Sequence, residues 1–402
     1  MKKRFLAAAL AAVMLTVSAT GCAQNGGTAS AAASGAAAST TAASTAAATG
    51  ETIKIGGLAP LTGSVSVYGI ATNNGAKLAV DAANKAGGIL GKQIQYIPYD
   101  EKGDATEAVN AYNKLVQNDK VVALVGDVTS TPCLAVAQAA VKDNLPMITA
   151  TATAADVTTT GENVFRACVT DPFQGELMAS YSAKKLGAKT AAILYNMADD
   201  YSLGVAEAYK KAATDAGISI VAEEKYQTND VDFKSQLTSI KAKNPDVLFI
   251  PVYYQDVALI SVQAKQVGIT AKMMGVDGWD GVLDKIDKSN VSAVNDTYFC
   301  SQYTAESTDQ NVQDFIKNYK TTYSAEPNMF AVLGYDAMNM MIEAIKTAGS
   351  TDPDAIIKAM AALKFKGLTG DITFDADRNP VKTCAIISIK DGAYKFVEYY
   401  NK

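Results

Sequence analysis

Residues 121–150 read VVALVGDVTSTPCLAVAQAAVKDNLPMITA. The run VVALVG, Val121 to Gly126, is wholly apolar and suits a strand buried on both faces. It stops at the hydroxyl cluster Thr129, Ser130 and Thr131. Pro132 fits the first turn of a helix, which places Ser130 or Thr131 at the N-cap with free backbone N–H groups facing outward. The segment LAVAQAAVKDN then reads as that helix and PMITA as a second apolar strand. A buried strand, a covering helix and another buried strand describe a parallel sheet.

The same alternation extends in both directions. Upstream, TIKIGGL is an apolar strand, followed by the loop PLTGSVSVYG (Pro60 to Gly69) and a helix from about Gly69 to Ala86. QIQYIPYD reads as the next strand, and Asp104 with Glu107 has the spacing of a capping box for a helix reaching Asn118. Downstream, after FRACVTDPFQG, the pattern restarts: helix 173–186 and strand KTAAILY, helix 203–216 and ISIVAEEKY, helix 231–243 and DVLFIPV, helix 255–267 and AKMMGV. Next come a strand-like TYFCSQY, helices near 308–322 and 328–348, another from Pro353 behind Asp352, ITFD, and a closing strand pair turning at Asp391-Gly392. The fold class is α/β, with two doubly wound parallel-sheet lobes.

The start of the chain has a different character. Lys2, Lys3 and Arg4 precede an apolar run from Phe5 to Val17 and the small-residue stretch up to Cys22, the form of an export signal over 1–21. From 22 to 50 the chain is almost wholly Ala, Ser, Thr and Gly, which cannot bury enough apolar surface to order itself; as a coil it would span roughly 30 Å. No later apolar run is long enough to cross a bilayer. The balance of 36 basic and 41 acidic residues is slightly negative, with the lysines dispersed, and offers no nucleic-acid surface. Histidine is absent, which removes imidazole-based nucleophile pairs and imidazole metal ligands. Cys133, Cys168, Cys300 and Cys384 lie far apart and read as buried free thiols, with one or two disulfides as the alternative.

Open parallel sheets bind ligands beyond the carboxyl ends of their strands. The loop after TIKIGGL lacks the lysine of a phosphate-binding loop, and Gly56, Gly57 and Gly63 lack dinucleotide spacing. In the first unit the strand-end positions carry Tyr68, Ser130, Thr151 and Thr153. In the second they carry Tyr201, Tyr253 and Asp277. A helix terminus flanked by hydroxyls suits a carboxylate, and an acid facing it across a cleft suits an ammonium group. The alternatives are capping by the hydroxyls and an ordinary loop acid at 277.

The order IKIGGLAPLTGSVSVYG, GGILGKQIQYIPYD, VALVGDVTS, PMITATATAADVT, FRACVTDPFQG and MGVDGW resembles the leucine/isoleucine/valine-binding proteins of ABC importers, of the type I periplasmic-binding fold. The stretch before Cys22 resembles a bacterial lipobox, which implies a lipidated Cys22 and an anchor at the outer face of the cytoplasmic membrane. The family likeness implies that Ser130 receives the ligand carboxylate, and that Thr151 and Thr153 serve both carboxylate and amine. It implies that Asp277 meets the ammonium where the best-known members carry Glu, and that Tyr68, Tyr201, Tyr253 and Phe330 form the wall. Trp279 is a further candidate wall residue. A family disulfide has no counterpart, because Gly103 and Thr129 stand at those places. The chain is expected to cross between lobes near 170, 300 and 369, giving lobe 1 as 51–170 plus 302–368 and lobe 2 as 171–301 plus 369–402. The implied activity is capture of an α-amino acid, Leu, Ile or Val first, by hinge closure, without catalysis or cofactor. The implied partners are membrane permease subunits and no nucleic acid, with the receptor acting as a monomer. Another apolar or aromatic amino acid, a small amide, or a sensory role for the same fold are the alternatives.

Overall fold

The computed structural model describes residues 50–401; the expected signal segment, Cys22 and nearly all of the Ala/Ser/Thr linker lie outside the described residues. In the first lobe, strands β1 (Thr52–Ala59), β2 (Gln93–Asp100), β3 (Ala123–Val125), β4 (Met147–Thr149) and β5 (Val164–Arg166) are all parallel, in the order 2-1-3-4-5. Helices α1 (Ser66–Lys85), α2 (Ala105–Lys114), α3 (Ser130–Lys142) and the short α4 (Asp156–Thr159) connect them. β3 and β4 are buried at every position, as expected of apolar runs covered on both faces.

The second lobe repeats the plan. Helix α5 (Asp171–Lys184) leads to β6 (Thr190–Asn196), α6 (Asp200–Asp215) to β7 (Ser219–Tyr226), α7 (Lys234–Lys243) to β8 (Val247–Phe249), and α8 (Tyr254–Val267) to β9 (Lys272–Gly275). A single-turn α9 (Val282–Lys285) precedes β10 (Thr297–Ser301). The order 7-6-8-9-10 is the first lobe's order again, extended by the antiparallel pair β13 (Cys384–Lys390) and β14 (Ala393–Tyr400). The second sheet is therefore mixed at one edge. Its hairpin turns at Asp391 and Gly392, both with positive φ (50° and 71°), as an Asp-Gly turn of the primed type requires.

Between β10 and β13 run α10 (Gln310–Tyr323), α11 (Met329–Ala348), α12 (Pro353–Ala361) and a small hairpin of β11 (Phe365–Gly367) and β12 (Gly370–Ile372). α11 packs along α1, and Gly75 and Gly334 let the two helices touch: a Cβ on Gly75 would lie 1.9 Å from the Ala331 carbonyl oxygen. Asp104 caps α2 as expected, accepting from the Thr106 and Glu107 N–H groups. The reciprocal half of the box comes from Glu101 instead, whose Oε2 receives the Asp104 N–H at 3.1 Å.

The third crossing lies later than 369. Phe374 packs on Phe165 with ring centroids 5.3 Å apart, and Arg378 donates to the Thr158 and Val164 carbonyls. Lys382 Nζ reaches Ala167 O at 2.5 Å. These contacts hold 369–382 against the first lobe, so the chain passes to the second sheet between Lys382 and Cys384. The crossings near 170 and 300 stand together, with Val169 N–H donating to Gln302 Oε1 at 3.0 Å.

Candidate functional site

Both sheets point the carboxyl ends of their strands at the interlobe cleft, where the order 2-1-3-4-5 places its switch point between the first and third strands. Ten residues line a narrow cavity there of about 10 Å3: Val128, Thr129, Ser130, Thr151, Thr153, Tyr201, Tyr253, Asp277, Gly278 and Phe330. The structure thus brings together Ser130, Thr151, Thr153, Tyr201, Tyr253, Asp277 and Phe330, and adds Val128, Thr129 and Gly278. The last three are backbone-dominated or adjacent positions whose only sequence signal is their neighbourhood to Ser130 and Asp277.

On the first lobe's side, Thr129 and not Ser130 or Thr131 is the N-cap of α3, and its side chain makes no cap bond. Ser130 is already helical, and its Oγ accepts the Ala154 N–H at 3.2 Å. No acceptor among the described residues meets the Ser130 or Thr131 N–H. These groups, at the positive end of a 13-residue helix, are available to an anion. Thr151 Oγ1 donates to Val128 O at 2.7 Å, and Thr149 Oγ1 donates to Asp127 O while accepting from Ala152 N. The two loops that face the cavity are thereby tied to one another.

On the second lobe's side, a turn at Asp277–Trp279 carries the acid inward. Asp277 is 4% exposed. Its Oδ1 accepts from Tyr201 Oη at 3.0 Å, and the same hydroxyl accepts the Gly278 N–H at 2.9 Å. The Asp277 N–H donates to Gln174 Oε1 at 3.1 Å. Burial pushes the Asp277 carboxyl up to about 6, partly offset by Tyr201, Gln174 and the Gly278 N–H. Gln174 lies in the stretch FRACVTDPFQG, and its polar contact, 103 positions away along the chain, is invisible to spacing. Tyr253 stacks on Tyr201 at 4.8 Å with rings 5° from parallel, which fixes both in the wall.

Two expected wall residues stand elsewhere. Tyr68 is fully buried behind Phe330, stacked on it at 3.9 Å, and its hydroxyl donates to Gly278 O at 2.5 Å across the lobes. Trp279 points into the second lobe's core: it is wholly buried, its Nε1 donates to Ile250 O at 2.8 Å, and its indole occupies the space above Gly275. The four cysteines 133, 168, 300 and 384 are buried and free.

Site and fold have parallels among known proteins. The family profile described as periplasmic binding protein matches residues 52–393. A leucine-, isoleucine-, valine-, threonine- and alanine-binding protein of Pseudomonas aeruginosa is 30% identical over 81% of this chain and 86% of its own length. A leucine-binding protein of Thermotoga maritima superposes with a TM-score of 0.81 at 31% identity, covering 87% of this chain and 99% of that one. A branched-chain amino acid transporter substrate-binding protein of Streptococcus pneumoniae, solved with isoleucine, gives 0.80 at 34% identity, covering 86% and 99%. With two lobes of one topology closing on a shared polar cavity, and with this match over nearly all of its described length, the chain belongs to the periplasmic binding protein family, in the type I fold.

Proposed function

We propose that this protein is the substrate-binding component of an ABC importer and captures an α-amino acid with an aliphatic side chain, Leu, Ile or Val, between its lobes. One observation carries the reading: Ser130 at the start of α3 and the buried Asp277, on opposite lobes, line one narrow cavity. Neutral dipoles suit a carboxylate and the acid suits an ammonium, while Phe330 and Val128 offer apolar wall to a side chain. Contacts from both lobes favour the closed form, and only such differential affinity drives closure. The activity is binding and release, with Cys22 as a lipid anchor on the outer face of the cytoplasmic membrane and permease subunits as the receiving partner.

The test is a thermal-shift panel of amino acids on the full chain. An aliphatic amino acid at a hundredfold over its Kd should add about 2.7 kcal/mol to stability. Asp277→Ala should abolish that gain; undiminished affinity in the variant would sink the ammonium assignment. A larger gain with aromatic amino acids would move the ligand class.

A further inference from the structure

A second cavity, of about 820 Å3, adjoins the first and shares none of its lining residues. Its size lies in the usual range for small-molecule sites. Asp280 and Asp284 line it, while no Lys or Arg does. Of the remaining acids on its wall, Glu326 is paired with Lys320 at 2.6 Å, and Glu306 Oε1 accepts the Phe396 N–H. Asp280 is 6% exposed and receives only backbone donation, from Met329 N at 2.8 Å. Burial pushes the Asp280 carboxyl up to about 6 and raises that of Asp284 too, with no cation to hold either down. Beside them Tyr303 Oη is buried without a hydrogen-bond partner among the described residues. Phe299, Tyr303 and Tyr394 supply aromatic wall. Two acids without a counter-ion, Asp280 buried and Asp284 at the exposed mouth, on a wall that also carries aromatic rings, make an environment that favours a cation. The apolar walls suit an organic one better than a hydrated metal ion.

We propose that this cavity is a second binding site, taking a small organic cation whose ammonium pairs with Asp284 and Asp280 and whose apolar body lies against Tyr303, Tyr394 and Phe299. Its wall includes Val67 and Ile70 of α1 in the first lobe and Asp284 in the second, so an occupant contacts both lobes. The turn that carries Asp277 into the amino-acid cavity continues directly into Asp280, and the start of α11 carries Phe330 into one cavity just after Asn328 lines the other. An occupant therefore favours the closed state and raises amino-acid affinity, and the amino acid raises the cation's affinity by the same factor.

The probe is phenethylammonium, titrated calorimetrically into the full chain with and without saturating leucine, against the neutral 2-phenylethanol. The amine should bind both forms, the alcohol about tenfold more weakly or worse, and Asp284→Asn should weaken the amine by a similar factor while keeping leucine affinity. The alcohol comparison uses the unaltered protein, so it stands even if the variant folds poorly. Absence of amine binding at millimolar concentration, equal binding of the alcohol, undiminished binding in Asp284→Asn, or displacement of the amine by leucine overturns the proposal.

Discussion

Asp277 must be ionised to pair with an ammonium group, yet burial raises its carboxyl to about 6. The sign follows directly: above that value the carboxylate is present, and below it a proton competes with the ligand. Amino-acid affinity should therefore be level near pH 7 and above, then fall by up to about tenfold for each pH unit well below 6; titration calorimetry across that range checks it, and a flat profile removes Asp277 from the ligand's charge balance. Gly278 sets the acid's position by close approach. A Cβ there would stand 2.5 Å from Tyr201 Oη and 2.8 Å from Val252 O. Gly278→Ala should cost about 1–3 kcal/mol of stability by overpacking, seen in denaturant midpoints, and should weaken binding by displacing the hydroxyl that holds Asp277. The sequence marked Ser130, Thr151, Thr153 and Asp277 as strand-end groups, and all four line the interlobe cavity. Trp279, two residues past Asp277, was not legible in the same way, because a single tight turn decides whether an aromatic faces cleft or core, and periodicity carries no information about a three-residue turn.

α1 and α8 meet across the lobes through a short set of directional bonds. Tyr68 Oη gives its proton to Gly278 O and accepts the Tyr254 N–H at 3.0 Å, and Tyr254 Oη donates to Ser64 O at 2.8 Å. At the other end of the cleft, Thr131 of α3 donates to Asp200 Oδ2 of α6 at 2.9 Å. These bonds join opposite lobes and so exist only when the lobes are closed. Tyr68→Phe keeps the ring stacked on Phe330 but leaves the Gly278 carbonyl and the Tyr254 N–H unpaired in the closed form, a penalty of about 1–3 kcal/mol. Ligand affinity should fall by roughly 5- to 150-fold, with solution scattering showing a more expanded ligand-free molecule and the denaturation midpoint of that form little changed. Unchanged affinity would mean that the hydroxyl does not hold the lobes together. The elements themselves were largely legible, since apolar runs and caps such as Asp104 and Asp352 act locally. The third crossing was not: Arg378 and Phe374 bind the chain to β5 and α4 through partners more than two hundred residues away, and no local pattern records such partners.

Across the whole molecule, several carboxyl groups lie where water cannot reach them, and their combined titration makes fold stability depend on pH in an unusual direction. Glu101 and Asp127 sit side by side beneath the loop that supplies Val128 and Ser130. Glu101 Oε2 accepts from Gly103 and Asp104 N–H groups, Asp127 Oδ1 accepts from Val128 N–H at 2.5 Å, and the other oxygen of each has no donor among the described residues. A proton shared between those two oxygens satisfies both. Burial raises both acids well above the usual carboxylate range, Glu101 further by the Asp127 charge, while hydrogen bonds from Val128 N–H and Glu101 partly hold Asp127 down. Asp199 and Asp280 are each raised to about 6, chiefly by burial. A raised acid contributes stability that is complete below its unfolded value, about 4, and is lost as pH rises through its folded one. Ligand-free protein should accordingly lose a few kcal/mol between about pH 5 and about pH 8, as urea unfolding at each pH would report. Exposed acids such as Asp246, held low by the Lys189 and Thr190 N–H groups, act in the opposite direction but are screened by solvent. Asp127→Asn replaces the shared proton with a permanent amide donor, and should flatten the part of that slope that lies above pH 6. Saturating amino acid should flatten another part, because its ammonium compensates Asp277 once that group ionises. If stability instead rises steadily toward pH 8 in the ligand-free form, the buried acids are ionised and paired in a way that this arrangement of side chains does not provide.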